Sequence, residues 1–90
     1  MYVPTRLRVL RIKYKITLEA LAGRMNISNQ HLSRMELADI PPTEYHERLL
    51  CLGMERLLAE WDGAPEELKQ EYETYKGRLL QPAKEVEDEH

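Results

Sequence analysis

Between Ser28 and Glu36 the chain gathers five hydrogen-bonding side chains, Asn29, Gln30, His31, Ser33 and Arg34. The amides of Asn and Gln carry a donor and an acceptor side by side, which matches the adenine edge in the major groove of duplex DNA. The guanidinium of Arg carries a donor fork that matches guanine. Leu32 and Met35 lie three residues apart, so on a helix they share one face and leave the polar set pointing elsewhere. A polar face that only meets solvent is the competing reading, since many surface helices carry one. Nothing in the chain pairs a nucleophile with a base, cradles a phosphate with glycines or spaces ligands for a metal. The paired carboxylates Glu66 and Glu67 are explained by a helix N-terminus. The chain therefore reads as a binding protein, with no catalytic residue, no cofactor and no metal.

The elements that must hold this polar set follow from the residues before it. Thr17 is a hydroxyl N-cap in front of LEALAGRM. There Leu18, Leu21, Ala22 and Met25 recur at helical spacing. Asn26 stands where the chain must turn, and Asn tolerates the left-handed region better than most residues. Ile27 anchors the turn and Ser28 caps a second helix. The result is two short helices joined tightly, the second presented outward. Ala22 is assigned to close helix packing, while Gly23 carries no assignment. Upstream, a first helix starts at Pro4 or Thr5, with Leu7, Leu10 and Tyr14 facing the core. Arg6, Arg8 and Lys13 lie off that stripe, and Lys15 leads into the connection before Thr17.

The ordered set Leu7, Leu10, Arg11, Thr17, Glu19, Leu21, Ala22, Ile27, Ser28, Leu32, Ser33 and Glu36 precedes a proline-containing loop and an apolar helix. From Leu7 to about Met54 this resembles the XRE family, the phage Cro and repressor type of helix-turn-helix domain. The resemblance implies an all-α fold: a compact five-helix phage-repressor-like domain with an additional C-terminal amphipathic helix. It implies that residues 28–36 form a recognition helix in which Asn29, Gln30 and Arg34 read bases. Ser28 would help hold a phosphate, with His31 and Ser33 as supporting contacts. It also implies that Arg11 pairs with Glu36 as a structural tie. Three departures point to weaker DNA binding per monomer than is usual in the family. Leu18 stands where many members carry a phosphate-contacting Gln. Ala38 stands where a Gly usually ends the third helix, so the chain is expected to leave by another route. The loop that is often basic in the family here carries Asp39 and Glu44.

Pro41 and Pro42 keep residues 37–43 as a loop, and Thr43 caps a fourth helix. Tyr45, Leu49 and Leu52 form its expected inward stripe, widened by Leu50 and Cys51, with Gly53 as an end or kink. His46 reads as a surface histidine. Met54 to Trp61 resumes an apolar pattern. A turn at Asp62–Pro65 opens the C-terminal helix, where Leu68, Tyr72, Tyr75 and Leu79 make a narrow stripe like one side of a coiled coil. That stripe docks on its own domain or on a second copy of the chain; periodicity does not say which. Pro82 ends the helix. The boundaries expected are 1–61 for the DNA-binding domain, 62–81 for the C-terminal helix and 82–90 for an acidic, disordered tail.

Charge is unevenly spread. The chain carries a net −3, but residues 1–36 hold +5 and residues 37–90 hold −8. A basic half around the outward helix is the footprint of a phosphate-binding face. Arg6, Lys13, Lys15 and Arg24 are its candidate phosphate contacts. The acidic half is expected to face away from DNA. No apolar run approaches the ~20 residues that span a bilayer, and MYVPTRLRVLRIK lacks the apolar core of a secretion signal. With Cys51 alone, no intrachain disulfide forms, which suits a cytoplasmic protein. The reading is a sequence-specific transcriptional regulator, a repressor acting as a homodimer on a palindromic operator in double-stranded DNA. The alternative is a protein-interaction module, such as an antitoxin or a partner-binding phage-type regulator, using the acidic half.

Overall fold

In the computed structural model, residues 4–39 and 41–83 are described. Five helices follow in order: α1 (Arg6–Lys13), α2 (Leu18–Met25), α3 (Asn29–Glu36), α4 (Glu44–Glu60) and α5 (Glu66–Tyr75). The fold is all-α. The only extended pairing among the described residues is a single bridge between Thr5 and Pro82. The expected acidic tail falls mostly on residues 84–90, outside the described residues.

The first four helices begin on a side-chain cap. Thr5, Thr17, Ser28 and Thr43 each accept a hydrogen bond from the backbone N–H three residues on, satisfying a donor that the helix leaves unpaired. The ends of α1, α2 and α3 also repeat one device. After each, a non-glycine residue turns into the left-handed region: Lys15 at φ 58°, Asn26 at φ 62° and Ala38 at φ 63°. The following N–H then reaches back to the last turn: Ile16 to Arg11, Ile27 to Ala22, and Asp39 to Arg34. These are Schellman closures. The expectation for Ala38 is therefore corrected. The chain leaves α3 by the route a glycine would take, because the two backbone hydrogen bonds to Met35 and Arg34 oxygens outweigh the Cβ strain.

One core joins all five helices. Leu7, Leu10, Leu21, Ala22, Met25, Leu32, Met35, Leu50, Met54, Leu68, Tyr72 and Leu79 are all buried in it. Helix α4 is continuous through Gly53, which is not a helix end. Gly53 is where α2 crosses: a Cβ there would fall inside the contact distance of Met25 Cγ. This close approach sets the rotation of α4. Leu50, Gly53, Met54 and Leu57 face inward, while Tyr45 stays 62% exposed and Leu52 44% exposed. The expected Tyr45–Leu49–Leu52 inward stripe is thus displaced; α4 is apolar on several sides, so spacing alone does not pick the buried one.

The C-terminal stripe is also resolved. Leu68, Tyr72 and Leu79 are fully buried in the chain's own core, and Tyr75 packs against it half-buried. They are not available as a dimer stripe. The helix itself stops at Tyr75, four residues before Leu79. Gly77 turns at φ 86°, and the Glu47 carboxylate accepts the N–H groups of Leu79 and Leu80 at 3.0 and 2.8 Å. The segment then closes on the start of α1: Arg6 and Leu7 donate to the carbonyls of Gln81 and Leu79, each at 2.9 Å. Those N–H groups belong to the unpaired first turn of α1, so residues 79–83 complete that helix.

Candidate nucleic-acid interface

Helix α3 is held from beneath by three residues. Leu32, Met35 and Glu36 are buried, with Leu32 and Glu36 fully covered. Glu36 is a buried carboxylate, and such a group needs partners. It has two arginines from α1. Arg11 Nε donates to Oε1 at 2.6 Å and Nη2 to Oε2 at 2.8 Å, while Arg8 Nη1 donates to Oε2 at 2.9 Å. Hydrogen bonding to Glu36 raises the Arg11 guanidinium above its ordinary value, against the opposing effect of its own burial. Arg11 Nη1 also donates to the Ile16 carbonyl at 2.9 Å, and Thr5 Oγ1 donates to the Glu36 carbonyl at 2.8 Å. The end of α3 is thereby fixed to α1 in both direction and register. The structural pairing of Arg11 with Glu36 is present, as the resemblance implied. Arg8 is a second partner that the resemblance does not supply; its signal is the i, i+3 spacing to Arg11, which puts both on one helix face.

With its inner face fixed, α3 turns Ser28, Asn29, Gln30, His31 and Arg34 to solvent, with Ser33 half-buried. The Arg34 guanidinium has no hydrogen-bond or ion-pair partner among the described residues. Ser28, Gln30, His31, Ser33, Arg34 and Asp39 line one open concavity. The Ser28 hydroxyl oxygen is engaged by the His31 N–H at 3.0 Å, so its first role is to start the helix. Asp39 adds a carboxylate to that lining, which offsets part of the concavity's attraction for an anion.

None of the four candidate phosphate contacts lines the α3 concavity. Arg6 stacks on the Tyr75 ring, its guanidinium carbon 4.1 Å from the centroid. Lys13 pairs with Glu71 at 2.7 Å. Arg24 pairs with Glu60 at 2.7 Å. Lys15 is exposed and has no ion pair among the described residues. A phosphate approaching Lys13 or Arg24 has to displace a carboxylate. The Lys13–Glu71 pair ties α1 to α5, joined by the Tyr14 hydroxyl donating to Glu71 at 2.9 Å. Burial pushes the Glu71 carboxyl up, but the hydrogen bonds from Lys13 and Tyr14 together outweigh it and hold the group below its ordinary value. Nothing in the sequence order pointed to Glu71, because its partners are 57 and 58 residues away.

One neighbour of α3 is a histidine that the sequence pattern places simply on the surface. His46, on the first turn of α4, stands edge-on to His31 with ring centroids 6.1 Å apart and planes at 66°. Among the described residues no group of three or more His, Cys, Asp or Glu is placed to hold a metal ion, and no helix is long and apolar enough to cross a membrane. A comparison of the chain with protein families, curated proteins and solved structures found no match in any of the three.

Proposed function

We propose that this protein is a sequence-specific regulator that binds double-stranded DNA through α3, in the manner of the XRE-type domains its sequence resembles. The observation that carries the reading is the two-sidedness of α3. Its inner face is buried and bonded at Glu36, while Asn29, Gln30 and Arg34 are all exposed, and Gln30 and Arg34 line one concavity. Hydrogen-bonding tips on a rigid rod suit reading base edges, because a fixed rod holds donor and acceptor in register with the groove. The protein acts as a homodimer, since one eight-residue helix reads few base pairs and a two-fold pair addresses two half-sites about 34 Å apart or a multiple of that. The dimer contact lies elsewhere than α5, whose apolar stripe is spent on the core. Repression at a palindromic operator is the regulatory role this reading carries.

Selection of bound sites from random duplexes tests it. A recovered motif with inverted half-sites supports the reading; recovery no better than chance overturns it.

A second reading has one observation in its favour. Tyr45 and Leu52 are large apolar side chains left exposed on α4, within the acidic half of the chain. They suit contact with another protein, as in an antitoxin or a phage-type regulator's partner. Capture of one stoichiometric basic protein by the wild type, lost in Tyr45→Ser/Leu52→Ser, supports this role beside or in place of DNA binding.

A further inference from the structure

The His31–His46 pair bridges the candidate base-reading helix and the start of α4. Each is the third residue of its helix, after the caps Ser28 and Thr43. Both therefore sit in a first turn, where the unpaired N–H groups and the helix dipole favour an anion. Their ring centroids lie 6.1 Å apart. The Thr43 hydroxyl meets His46 Nδ1 at 3.0 Å while accepting the His46 N–H. A hydroxyl can donate to a neutral ring nitrogen or accept from a protonated one, so His46 can gain a proton without losing its cap.

The other charged and titratable groups around the pair are few. On α3, Arg34 follows His31 by one turn and adds positive charge. After α3, Asp39 lines the same concavity as His31. On α4, the Tyr45 ring lies 5.7 Å from that of His46, and Glu44 is engaged with Arg48 at 3.7 Å. Glu47, beside His46 in the same turn, is engaged with the Leu79 and Leu80 N–H groups. A duplex bound through α3 brings phosphates toward this edge, and an imidazolium beside a polyanion is favoured.

We propose that the His31–His46 pair makes DNA binding proton-linked: the complex takes up a proton that the free protein leaves in solution, so affinity rises as pH falls. This rests on the DNA-binding reading above. Imidazoles titrate between about pH 5 and 8, so the effect falls in that window. One proton taken up gives up to about tenfold in affinity per pH unit.

The test is the dissociation constant for the selected duplex, by fluorescence anisotropy at fixed ionic strength from pH 5.5 to 8.5. The wild type, His46→Gln and the double variant His31→Gln/His46→Gln are compared, with folding checked by circular dichroism. The expected result is a sloping plot for the wild type, a shallower one for His46→Gln and a flat one for the double variant. Specific binding with no pH dependence in the wild type overturns the proton linkage and leaves the DNA reading standing. An unchanged slope in the double variant does the same by placing the proton elsewhere. An unchanged slope in His46→Gln alone overturns the pair and leaves His31 acting singly. No duplex binding at any pH overturns the DNA reading, and the linkage with it.

Discussion

Arg11 and Glu36 meet through two parallel N–H···O bonds, at 2.6 and 2.8 Å, across 25 positions of sequence. This bidentate geometry is the strong form of an arginine–carboxylate contact, and Glu36 is fully buried within it. Its value lies less in net attraction than in the penalty for losing either member, since the survivor is stranded away from water.

Glu36→Ala is accordingly expected to destabilise the domain by about 3–5 kcal/mol, leaving both Arg8 and Arg11 without their carboxylate. Thermal and urea melts followed by circular dichroism check this. A loss below about 1 kcal/mol would show that the arginines re-solvate freely, as exposed pairs do.

Two helical glycines should respond in opposite senses to the same substitution. Gly23 is exposed with open space where a Cβ would go, so Gly23→Ala gains about 0.5–1 kcal/mol of helix stability. Gly53 receives the same helical gain, but its new Cβ crowds Met25 Cγ and reaches within 3.2 Å of Leu21 Cδ1. Overpacking costs about 1–3 kcal/mol, so Gly53→Ala is net destabilising. Paired urea titrations decide the order, and equal stabilisation by both would mean that Met25 moves aside without cost.

Ala38→Gly should stabilise the protein. The alanine holds φ 63° at the end of α3, a conformation that costs an L-residue about 1–2 kcal/mol. Glycine removes that strain but loses about 0.4–1 kcal/mol to its freer unfolded chain. The expected net gain is about 0.5–1 kcal/mol, read as a raised urea midpoint with an unchanged slope. A lowered midpoint would indicate that the methyl group itself packs.

Acid should loosen the α1–α5 seam through Glu71. Its carboxyl is held below the ordinary value by Lys13 and Tyr14 despite its burial. A depressed carboxylate contributes stability that is complete above its unfolded value, about 4.3, and that is lost as pH falls through the folded one. Unfolding titrations between about pH 6 and 2 should show Glu71→Gln less stable than wild type at the upper end. The gap should close toward the lower end. A gap that stays constant would mean that Glu71 acts by packing alone.

On the proposed interface, Arg34→Ala should weaken binding to the selected duplex by about 1–3 kcal/mol and relax preference at one base pair. Lys15→Ala should weaken all duplexes alike and flatten the log–log salt dependence by about 0.9. Binding of the Arg34 variant with unchanged affinity and preference would remove Arg34 from the base readers.

Much of this architecture is written locally. Thr17, Ser28 and Thr43 announce helix starts because a short hydroxyl can satisfy only a nearby N–H, and Asn26 announces a turn because its backbone tolerates the left-handed region. The buried Leu21, Met25, Leu32 and Met35 follow from 3.6-residue spacing, and so does the outward set Asn29, Gln30 and Arg34. What spacing leaves open is which of two apolar faces is buried and whom a lone charge meets, since both depend on elements distant in sequence. The crossing of α2 at Gly53 turned Tyr45 and Leu52 out. Capture of the Leu79 and Leu80 amides by Glu47 folded the last segment onto α1, so the α5 stripe faces its own core. Lys13 and Arg24 found Glu71 and Glu60, and His46 found His31, only once the helices had docked. Local sequence decides conformation because its hydrogen bonds close within a few residues. Tertiary packing decides partners because burial and charge pairing act through space.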